Sequence, residues 1–322
     1  MTEANQSGVF CTPGLTTTGA YSGGSPGSTF PGVSYHGYCN NNVKVGRALQ
    51  PYPNYSSASI GNLAYGNQHY NALQMTTQWR IPGGGLIGSA FTWAKTIDDT
   101  KGQQDYYNHR GDRTVDGVPS RLVVNVNYPL PIGRGQRFLN VSGPLSPVIS
   151  GWAINDVTSF QHGGYIGIST NSKSQLANNF GAGNTRASYY GGGAIVNNVG
   201  GTAVAYNCNN QKVIKGSAVS RLNEWYNIGC FQYPGDYAFG NEPANDPKLF
   251  TQGIDNSDIA LAKTTKITER LNVQFRAETF NTFNRFQASG PSSNAVGNGN
   301  FGKVTSQANN PRQIQLSLRV SY

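Results

Sequence analysis

The last residues of the chain alternate strictly between polar and apolar side chains. Between Arg312 and Tyr322, glutamine, serine and arginine fill every second position. A period of two predicts a β-strand with one apolar and one polar face. The apolar positions are Ile314, Leu316, Leu318, Val320 and Tyr322. What this apolar face contacts, a protein core or lipid, decides the class of protein.

Six further segments show strand-like patterns, at 70–81, 86–97, 121–128, 151–160, 258–267 and 271–280. In the last of them, Arg276 and Glu278 lie on the polar face. Charged side chains on an inner face would be expensive in a dry core and cheap in a water-filled lumen. The pattern therefore favours an all-β, antiparallel up-and-down barrel with its apolar faces toward lipid.

The connections between the predicted strands alternate in length. Pro82 to Gly85 and residues 268–270 form tight turns, and 129–150 is intermediate, whereas 98–117, 163–256 and 284–308 are long. In an up-and-down sheet every second connection lies at the same end, and outer-membrane barrels have short periplasmic turns and long external loops. This parity predicts that Tyr322 lies at the periplasmic end. A strand of about 11 residues tilted by about 40° rises roughly 27 Å, which matches the apolar band of such barrels.

The predicted domain organisation has two parts. Residues 1–66 are expected to be an extracellular loop region that could supply one strand, and residues 67–322 to hold the barrel strands, with a long extracellular loop at about 163–256. The seven confident strands are fewer than the eight or so that small outer-membrane barrels need. We therefore expect the C-terminal portion of a larger barrel.

Composition supports a β-rich membrane protein over a soluble one. Only 37% of the residues are hydrophobic, while 41 are Gly, 18 Tyr and 14 Phe. A soluble core of this size normally uses more Leu, Ile and Val, and Gly weakens helices. The sequence has no run of about 18 apolar residues, which excludes a spanning helix and leaves a spanning barrel open.

The formal net charge of +9 raises the question of nucleic-acid binding. The basic residues are dispersed, mostly singly on the polar faces of strands, and no basic block interleaved with aromatic residues occurs. Nucleic acid is therefore not a predicted partner, and anionic lipid headgroups explain the charge at least as well.

Four cysteines occur as two spaced pairs, Cys11 with Cys39 and Cys208 with Cys230. Four cysteines allow three connectivities, of which the two local disulfides are preferred in an oxidising compartment. Metal binding is not predicted, because there is no Cys-X-X-Cys sequence and the four histidines are scattered. They are His36, His69, His109 and His162.

Several motifs suggest chemistry and have simpler explanations. Asp255, Asp258, Glu269 and Glu278 could be paired carboxylates for hydrolysis, but a lumen charge network with Arg276 explains Glu278. Arg110-Gly-Asp112 is too short to indicate adhesion, and Gly191-Gly-Gly193 lacks the context of a phosphate loop. We predict no catalytic residue, no enzyme activity and no cofactor.

One predicted external loop is rich in aspartates, whose carboxylate oxygens could bind Ca²⁺. The alternative, which we prefer, is a solvated loop whose acids pair with Arg110, Arg113 and Arg121. The acids are Asp98, Asp99, Asp105, Asp112 and Asp116.

An ordered series of short stretches resembles the C-terminal part of TonB-dependent outer-membrane receptors, most closely the large Oar-like receptors common in acidobacteria. Each stretch is weak alone, but together they run in family order from about residue 47 to 322. They are Leu49-Gln-Pro-Tyr-Pro-Asn-Tyr55, Tyr70-Asn-Ala-Leu-Gln74, Phe91-Thr-Trp-Ala-Lys-Thr-Ile-Asp-Asp99, Asp112-Arg113, Val118-Pro-Ser-Arg121, Tyr128-Pro-Leu-Pro-Ile-Gly133, Gly151-Trp152, Trp225-Tyr-Asn-Ile-Gly-Cys-Phe231, Phe275-Arg-Ala-Glu-Thr-Phe-Asn-Thr-Phe-Asn284, Phe301-Gly302 and Arg312-Gln-Ile-Gln315.

The resemblance implies the last third of a barrel of about 22 strands, filled by a plug and driven by the TonB complex. The sequence shows no stretch that resembles the family's signal peptide, plug or TonB-contact segment, so we do not expect this chain to transport a ligand on its own. The implied partners are outer-membrane lipid, the TonB complex through that plug, the barrel-assembly machinery and an oligomeric nutrient. The implied assembly signal is Leu318, Val320 and Tyr322.

Two functions follow from these observations. The first is uptake of an oligomeric nutrient, such as a glycan or peptide, across the bacterial outer membrane. The second is a secreted, soluble β-rich adhesin or carbohydrate-binding module whose apolar faces bury a sandwich core. The candidate ligand aromatics of the long loop are Tyr189, Tyr190, Tyr206, Trp225 and Tyr226.

Overall fold

The computed structural model describes residues 28–30, 33–35, 66–101, 103–104, 112–170, 185–190, 194–199, 202–235 and 238–322. The chain divides into two compact units. The first comprises residues 1–65 and 174–183, and its described part is a hairpin of β1 (Ser28–Phe30) and β2 (Val33–Tyr35). The second comprises residues 66–173 and 184–322.

The second unit is built on an antiparallel sheet in which each long strand pairs with the next along the chain. A short strand, β5 (Thr114–Asp116), pairs with the last residues of β4 (Gly85–Asp98). The long strands are β3 (Gln68–Ile81), β4 (Gly85–Asp98), β6 (Ser120–Pro129), β7 (Trp152–Gln161), β15 (Ile254–Lys266), β16 (Asn272–Phe280) and β18 (Gln313–Ser321). Every strand predicted from alternation is therefore present, in the predicted up-and-down order.

Shorter elements lie in the connections. Four small sheets pair β8 with β14, β9 with β17, β10 with β13 and β11 with β12. No helix in the described residues is long and apolar enough to cross a membrane. These elements are α1 (Ser146–Ile149), β8 (Tyr165–Ile166), β9 (Ser169–Thr170), β10 (Ser188–Tyr189), β11 (Ala194–Val199), β12 (Thr202–Asn207), β13 (Phe231–Gln232), β14 (Asp246–Phe250), β17 (Ala295–Val296) and the 3₁₀ turns Val219–Arg221 and Ile228–Cys230.

The strand register collects the apolar side chains on one face of the sheet, here called the apolar face. Residues paired across neighbouring strands point to the same side. Trp79, Ile314 and Leu318 on this face are 61%, 68% and 68% exposed, so no second sheet covers it in the described residues. The soluble sandwich required such a cover, so the structure does not support it. Register pairs on this face include Leu73 with Trp93, Met75 with Phe91, Phe91 with Leu122, Phe275 with Leu318 and Ala277 with Leu316.

The opposite face is polar. Arg276 and Glu278 lie on it two positions apart, and their Nη2 and Oε1 atoms form an ion pair of 2.6 Å. This ion pair confirms the predicted contact between Arg276 and Glu278. In a barrel, this face of the sheet would line the water-filled lumen. Other residues on this face are Gln74, Gln78, Asn125, Gln274, Gln315 and Arg319.

The connections alternate as the sequence predicts. The connections from β3 to β4, from β6 to β7 and from β15 to β16 lie at one end of the sheet, and β4, β7 and β16 end at the other. Gly83 and Gly84 form the tightest turn with φ angles of 96° and 95°, which side chains with a Cβ rarely adopt. The largest difference from a predicted boundary is at β15, which begins at Ile254 rather than at 258 because Ile254 to Ser257 still pair with β7.

The sheet is open in the described residues. β3 and β18 are the terminal strands of the pairing order, and each has a neighbour on one side only. An unpaired strand edge in lipid would leave backbone amide and carbonyl groups without partners. A membrane-embedded wall of this kind therefore needs further strands to close it.

Candidate functional site

The long connections at one end of the sheet fold into a compact assembly with its own apolar core. We call this assembly, residues 162–170, 185–190, 208–235, 238–253 and 281–308, the loop assembly. Its buried side chains come from segments far apart in sequence, so the connections pack against each other. The cluster contains Ile166, Ile168, Ala187, Cys208, Trp225, Tyr226, Cys230, Phe231, Leu249, Ala288, Val296, Phe301 and Val304.

A disulfide between Cys208 and Cys230 closes one part of the loop assembly, with an S–S distance of 1.99 Å. This is one of the two local pairs preferred from the sequence; Cys11 and Cys39 lie outside the described residues. Asn227 supports the same segment: its Nδ2 donates to the Cys208 carbonyl at 3.2 Å, and its Oδ1 accepts from the Gly229 amide at 3.0 Å. The segment 208–215 is thereby fixed against the core.

This segment forms one wall of a cavity of about 990 Å³. Segments 241–243 and 246–248, Asn227 and Tyr189 complete the lining. Its exposed rim carries amides and amines, from Asn209, Asn210, Gln211, Lys215, Asn241 and Lys248. The rim can therefore donate and accept hydrogen bonds, and the half-buried Tyr189 ring lies in the lining with its other contacts to Phe231.

A charged group lies among the residues that line this cavity. The Lys212 Nζ donates to Glu242 Oε1 at 2.5 Å and to Asp246 Oδ2 at 2.6 Å. Both carboxylate side chains are only 1% exposed. The same ammonium lies 4.2 Å from the centre of the Tyr189 ring and 5.7 Å from that of Phe231. Such a cation is held by both ion pairing and ring contact.

Burial and pairing act against each other in this group. Burial raises the pKa of Glu242 to about 7, although the hydrogen bond from Lys212 works in the opposite direction. Burial lowers the pKa of Lys212, but hydrogen bonds to Asp246 and Glu242 outweigh it, so the pKa stays above its ordinary value. Glu242 Oε2 is buried without a hydrogen-bond partner in the described residues. Protonation of Glu242 near neutral pH therefore changes the net charge of this group.

A second buried ion pair connects two of the long connections. Arg186 Nη2 donates to Asp112 Oδ1 at 2.8 Å, and these side chains are 8% and 1% exposed. Beside it, Gln104 Oε1 accepts from the Arg186 and Gly240 amides at 3.1 and 3.2 Å. Gln104 Nε2 donates to the Gly240 carbonyl at 2.8 Å. The connection 99–119 is thus joined to the part of the loop assembly next to the cavity.

The acidic loop has different partners from those predicted. Asp112 was expected to pair with a nearby arginine of its own loop, but it pairs with Arg186 because the two connections fold together. The described residues contain no group of acidic, His or Cys side chains arranged to hold a metal ion. Asp105 lies outside the described residues, and the described acids have these partners: Asp98 with Thr100, Asp99 with Asn67, Asp112 with Arg186 and Asp116 with Lys101.

The five candidate ligand aromatics have different positions. Tyr189 lines the cavity, and Tyr190 is 40% exposed. Trp225 and Tyr226 are 2% and 1% exposed, so their rings pack in the apolar core and do not present a ligand surface as expected. The Trp225 Nε1 donates to the Phe250 carbonyl at 2.7 Å, which satisfies its polar atom within the core. Tyr206 is in β12, and its side chain is not among those that the structure describes.

No sequence pattern indicates that Lys212, Glu242 and Asp246 form a site. Lys212 lies 30 residues before Glu242 and 34 before Asp246 in the sequence, with Cys230 between them. No motif connects the three residues. The available signal is weak: both acids lie in the proline-flanked stretch Glu242-Pro-Ala-Asn-Asp-Pro247, which is typical of a fixed turn.

The predicted assembly signal is at the end of the sheet. Leu318 and Val320 lie on the apolar face of β18 and are 68% and 54% exposed, and Tyr322 follows the strand. Their contact with an assembly machinery stays a prediction.

Comparison with known proteins gives one match. A family model described as an outer membrane beta barrel domain matches residues 3–315. Neither the comparison with curated proteins nor that with solved structures gave a match.

Proposed function

This chain belongs to the outer membrane beta barrel domain family and is located in the bacterial outer membrane, and we propose that it forms the C-terminal wall and external gate of a TonB-dependent receptor. In this proposal the long strands are part of the barrel wall and the loop assembly is the gate. The receptor is of the Oar-like type and takes up an oligomeric nutrient, such as a glycan or a peptide.

The observation that carries the proposal is the cavity of about 990 Å³ beside Lys212. Its volume is in the upper part of the range of roughly 300–1,000 Å³ that is typical of ligand pockets. Amides on the rim and the Tyr189 ring suit an oligomer with many hydroxyl or amide groups, because such groups adapt to varied hydrogen-bond patterns. The disulfide and the buried ion pairs keep the lining in place without a ligand.

The transport part of the proposal is supported by the wall. Its polar face, with the Arg276–Glu278 ion pair, suits a water-filled lumen. Its open edges require further strands, as a larger barrel would supply. The plug and the TonB complex stay predictions that follow from the family resemblance, and the absence of enzyme activity stays a prediction from the residues.

A binding experiment tests the role of the cavity. In outer membranes of cells that produce the protein, the substitutions Tyr189→Ala and Gln211→Ala should each weaken binding of fluorescent oligosaccharides or oligopeptides. A central aromatic contact is often worth more than 1.4 kcal/mol, so Tyr189→Ala should weaken binding about tenfold or more. Phe239→Ala is a matched control, since Phe239 is 43% exposed and does not line the cavity.

An uptake experiment tests the dependence on TonB. Dissipating the proton-motive force, or deleting the TonB protein, should abolish accumulation of the bound oligomer in the periplasm while leaving surface binding unchanged. Accumulation that continues at the same rate after either treatment would show a passive pore and would refute the transport mechanism.

A further inference from the structure

The connection between β6 and β7, residues 130–151, has an unusual surface for a segment at the short-connection end. Four of its large apolar side chains are exposed: Phe138 by 53%, Leu139 by 62%, Leu145 by 60% and Val148 by 59%. The segment contains Arg134 and Arg137 and no acidic residue. Exposed apolar side chains of this size normally mark a surface that contacts a partner or a membrane.

The connection lies on the apolar face of the sheet and not on the polar face. Lys263 and Trp152 are register partners on the apolar face. The Lys263 Nζ donates to the carbonyls of Pro147, Val148 and Ser150 at 2.7, 2.8 and 2.8 Å. The Trp152 Nε1 donates to the Val148 carbonyl at 3.0 Å. The end of α1 is therefore held against the side of the wall that faces lipid.

These contacts also explain a charged residue on the lipid-facing side. An unpaired ammonium in the apolar band of a barrel is destabilising, most strongly near the bilayer centre. Lys263 avoids this cost because the three carbonyls accept its hydrogen bonds and the Trp152 ring lies 5.0 Å away. The carbonyls belong to α1 and to Ser150 just after it, and the last carbonyls of a helix have no partner within the helix.

The connection is ordered by its own hydrogen bonds. The Phe138 amide donates to the Pro131 carbonyl and the Gly133 amide to the Phe138 carbonyl, both at 3.0 Å. The Arg134 amide donates to Ser150 Oγ at 3.0 Å. Leu139 adopts a φ of 48°, a left-handed conformation that is uncommon for leucine, and its side chain is exposed. The exposed apolar side chains are thus held outward by a defined backbone.

We propose that residues 130–151 form an interfacial anchor, in which Phe138, Leu139, Leu145 and Val148 insert among phospholipid acyl chains while Arg134 and Arg137 contact anionic headgroups. The anchor is continuous with the lipid-facing side of the wall, which supports lipid over a protein as its occupant. Segments with apolar side chains on one side and arginine beside them bind the membrane interface in this way. The Arg137 guanidinium lies 5.4 Å from the centre of the Phe138 ring, so cationic and apolar groups are adjacent.

Site-specific fluorescence tests the anchor. Leu139→Cys and Val148→Cys are labelled with a nitrobenzoxadiazole dye in the full chain, extracted from outer membranes and reconstituted in vesicles of phosphatidylethanolamine and phosphatidylglycerol. The matched control is Glu269→Cys, in the short connection 267–271 at the same end. The expected result is blue-shifted emission that lipids with brominated chains quench at 139 and 148 but not at 269.

Two outcomes would overturn the proposal. Water-like emission at 139 and 148 would show that the segment does not enter the membrane. Blue-shifted emission that brominated lipids do not quench would show that a protein surface covers it. Heat-modifiable gel mobility checks that each labelled variant is folded, and Leu145→Cys provides a further site if one variant does not fold.

The headgroup contact has a separate readout. In vesicles with phosphatidylglycerol, Arg134→Gln and Arg137→Gln should each reduce the ratio of inserted to water-exposed label by up to about fivefold, since a basic residue near an anionic surface contributes about 1 kcal/mol. Arg270→Gln, in the connection 267–271, should leave the ratio unchanged. Equal ratios in vesicles with and without phosphatidylglycerol would refute the role of the arginines.

Discussion

The wall and the loop assembly use their apolar residues in opposite ways. In the wall, large apolar side chains are exposed or half-buried, as at Leu318 and Phe275, and polar side chains occupy the other face. In the loop assembly, Trp225, Tyr226 and Phe231 are buried in a common core. The same chain is therefore built for two solvents: lipid around the wall, and water around the loops. Both regions follow the same physical rule, which is burial of apolar surface away from water.

The largest expected effect comes from the core of the loop assembly. Phe231→Ala should destabilise this assembly by about 3–5 kcal/mol, because it leaves a cavity among Tyr189, Tyr226 and Phe301. The measurement is the urea concentration at which added protease cleaves the long connections in intact outer membranes. Phe239→Ala, an exposed residue of the same assembly, is the control. Equal protease resistance of both variants would contradict a packed core in the loops.

A charge on the wall should have a slightly smaller effect that depends on the face. Leu316→Lys places an ammonium in lipid and should destabilise the folded barrel by about 2–4 kcal/mol. Gln315→Lys, one position away on the polar face, should have little effect. The measurement is reversible unfolding in phospholipid vesicles followed by gel mobility. A larger destabilisation by Gln315→Lys than by Leu316→Lys would contradict the assignment of the two faces of the wall.

Removal of the disulfide should weaken the loop assembly and leave the wall intact. The pair Cys208→Ser with Cys230→Ser should lower the stability of the loop assembly by about 2–5 kcal/mol, as is typical for loss of a native disulfide. Faster proteolysis in 208–230 with unchanged heat-modifiable mobility is the expected result. Loss of the mobility shift would mean that the loops and the wall do not unfold separately.

The smallest expected effect is a pH dependence centred on Glu242. Its pKa in the folded state, about 7, is above its ordinary value of 4.5, so the folded loop assembly favours the protonated form. The stability from this group is fully present below about pH 4.5 and falls as the pH rises through about 7. Protease resistance measured between pH 5 and 8 should decline in this window, and Glu242→Gln should flatten the decline. An identical pH profile in the variant would exclude Glu242 as the titrating group.

The sequence predicts the wall better than the loop assembly for a physical reason. A strand with different solvents on its two faces must alternate, so Ile314 to Val320 indicate both the element and its orientation. The loop assembly has no such period, because its core is formed by contacts between distant segments. Trp225 and Tyr226 look like surface aromatics in a Tyr- and Asn-rich loop, and only the fold shows that they are buried. The Lys212–Glu242–Asp246 group depends on the same long-range folding.

The anchor, residues 130–151, is predictable from the sequence only in part. Its composition, with Leu139, Leu145 and Val148 among prolines and arginines, is visible in the sequence. Its position on the apolar face depends on the contacts of Lys263 with three carbonyls, which no local pattern indicates.

The central claim is that the apolar face of the wall contacts lipid and the polar face contacts water. Single-cysteine variants at each position from Gln315 to Val320, labelled with a nitroxide in reconstituted vesicles, test it through accessibility to oxygen and to a water-soluble nickel complex. The account predicts a period of two, with oxygen favoured at Leu316, Leu318 and Val320 and nickel at Gln315, Ser317 and Arg319. Uniform accessibility, or the opposite phase, would contradict it.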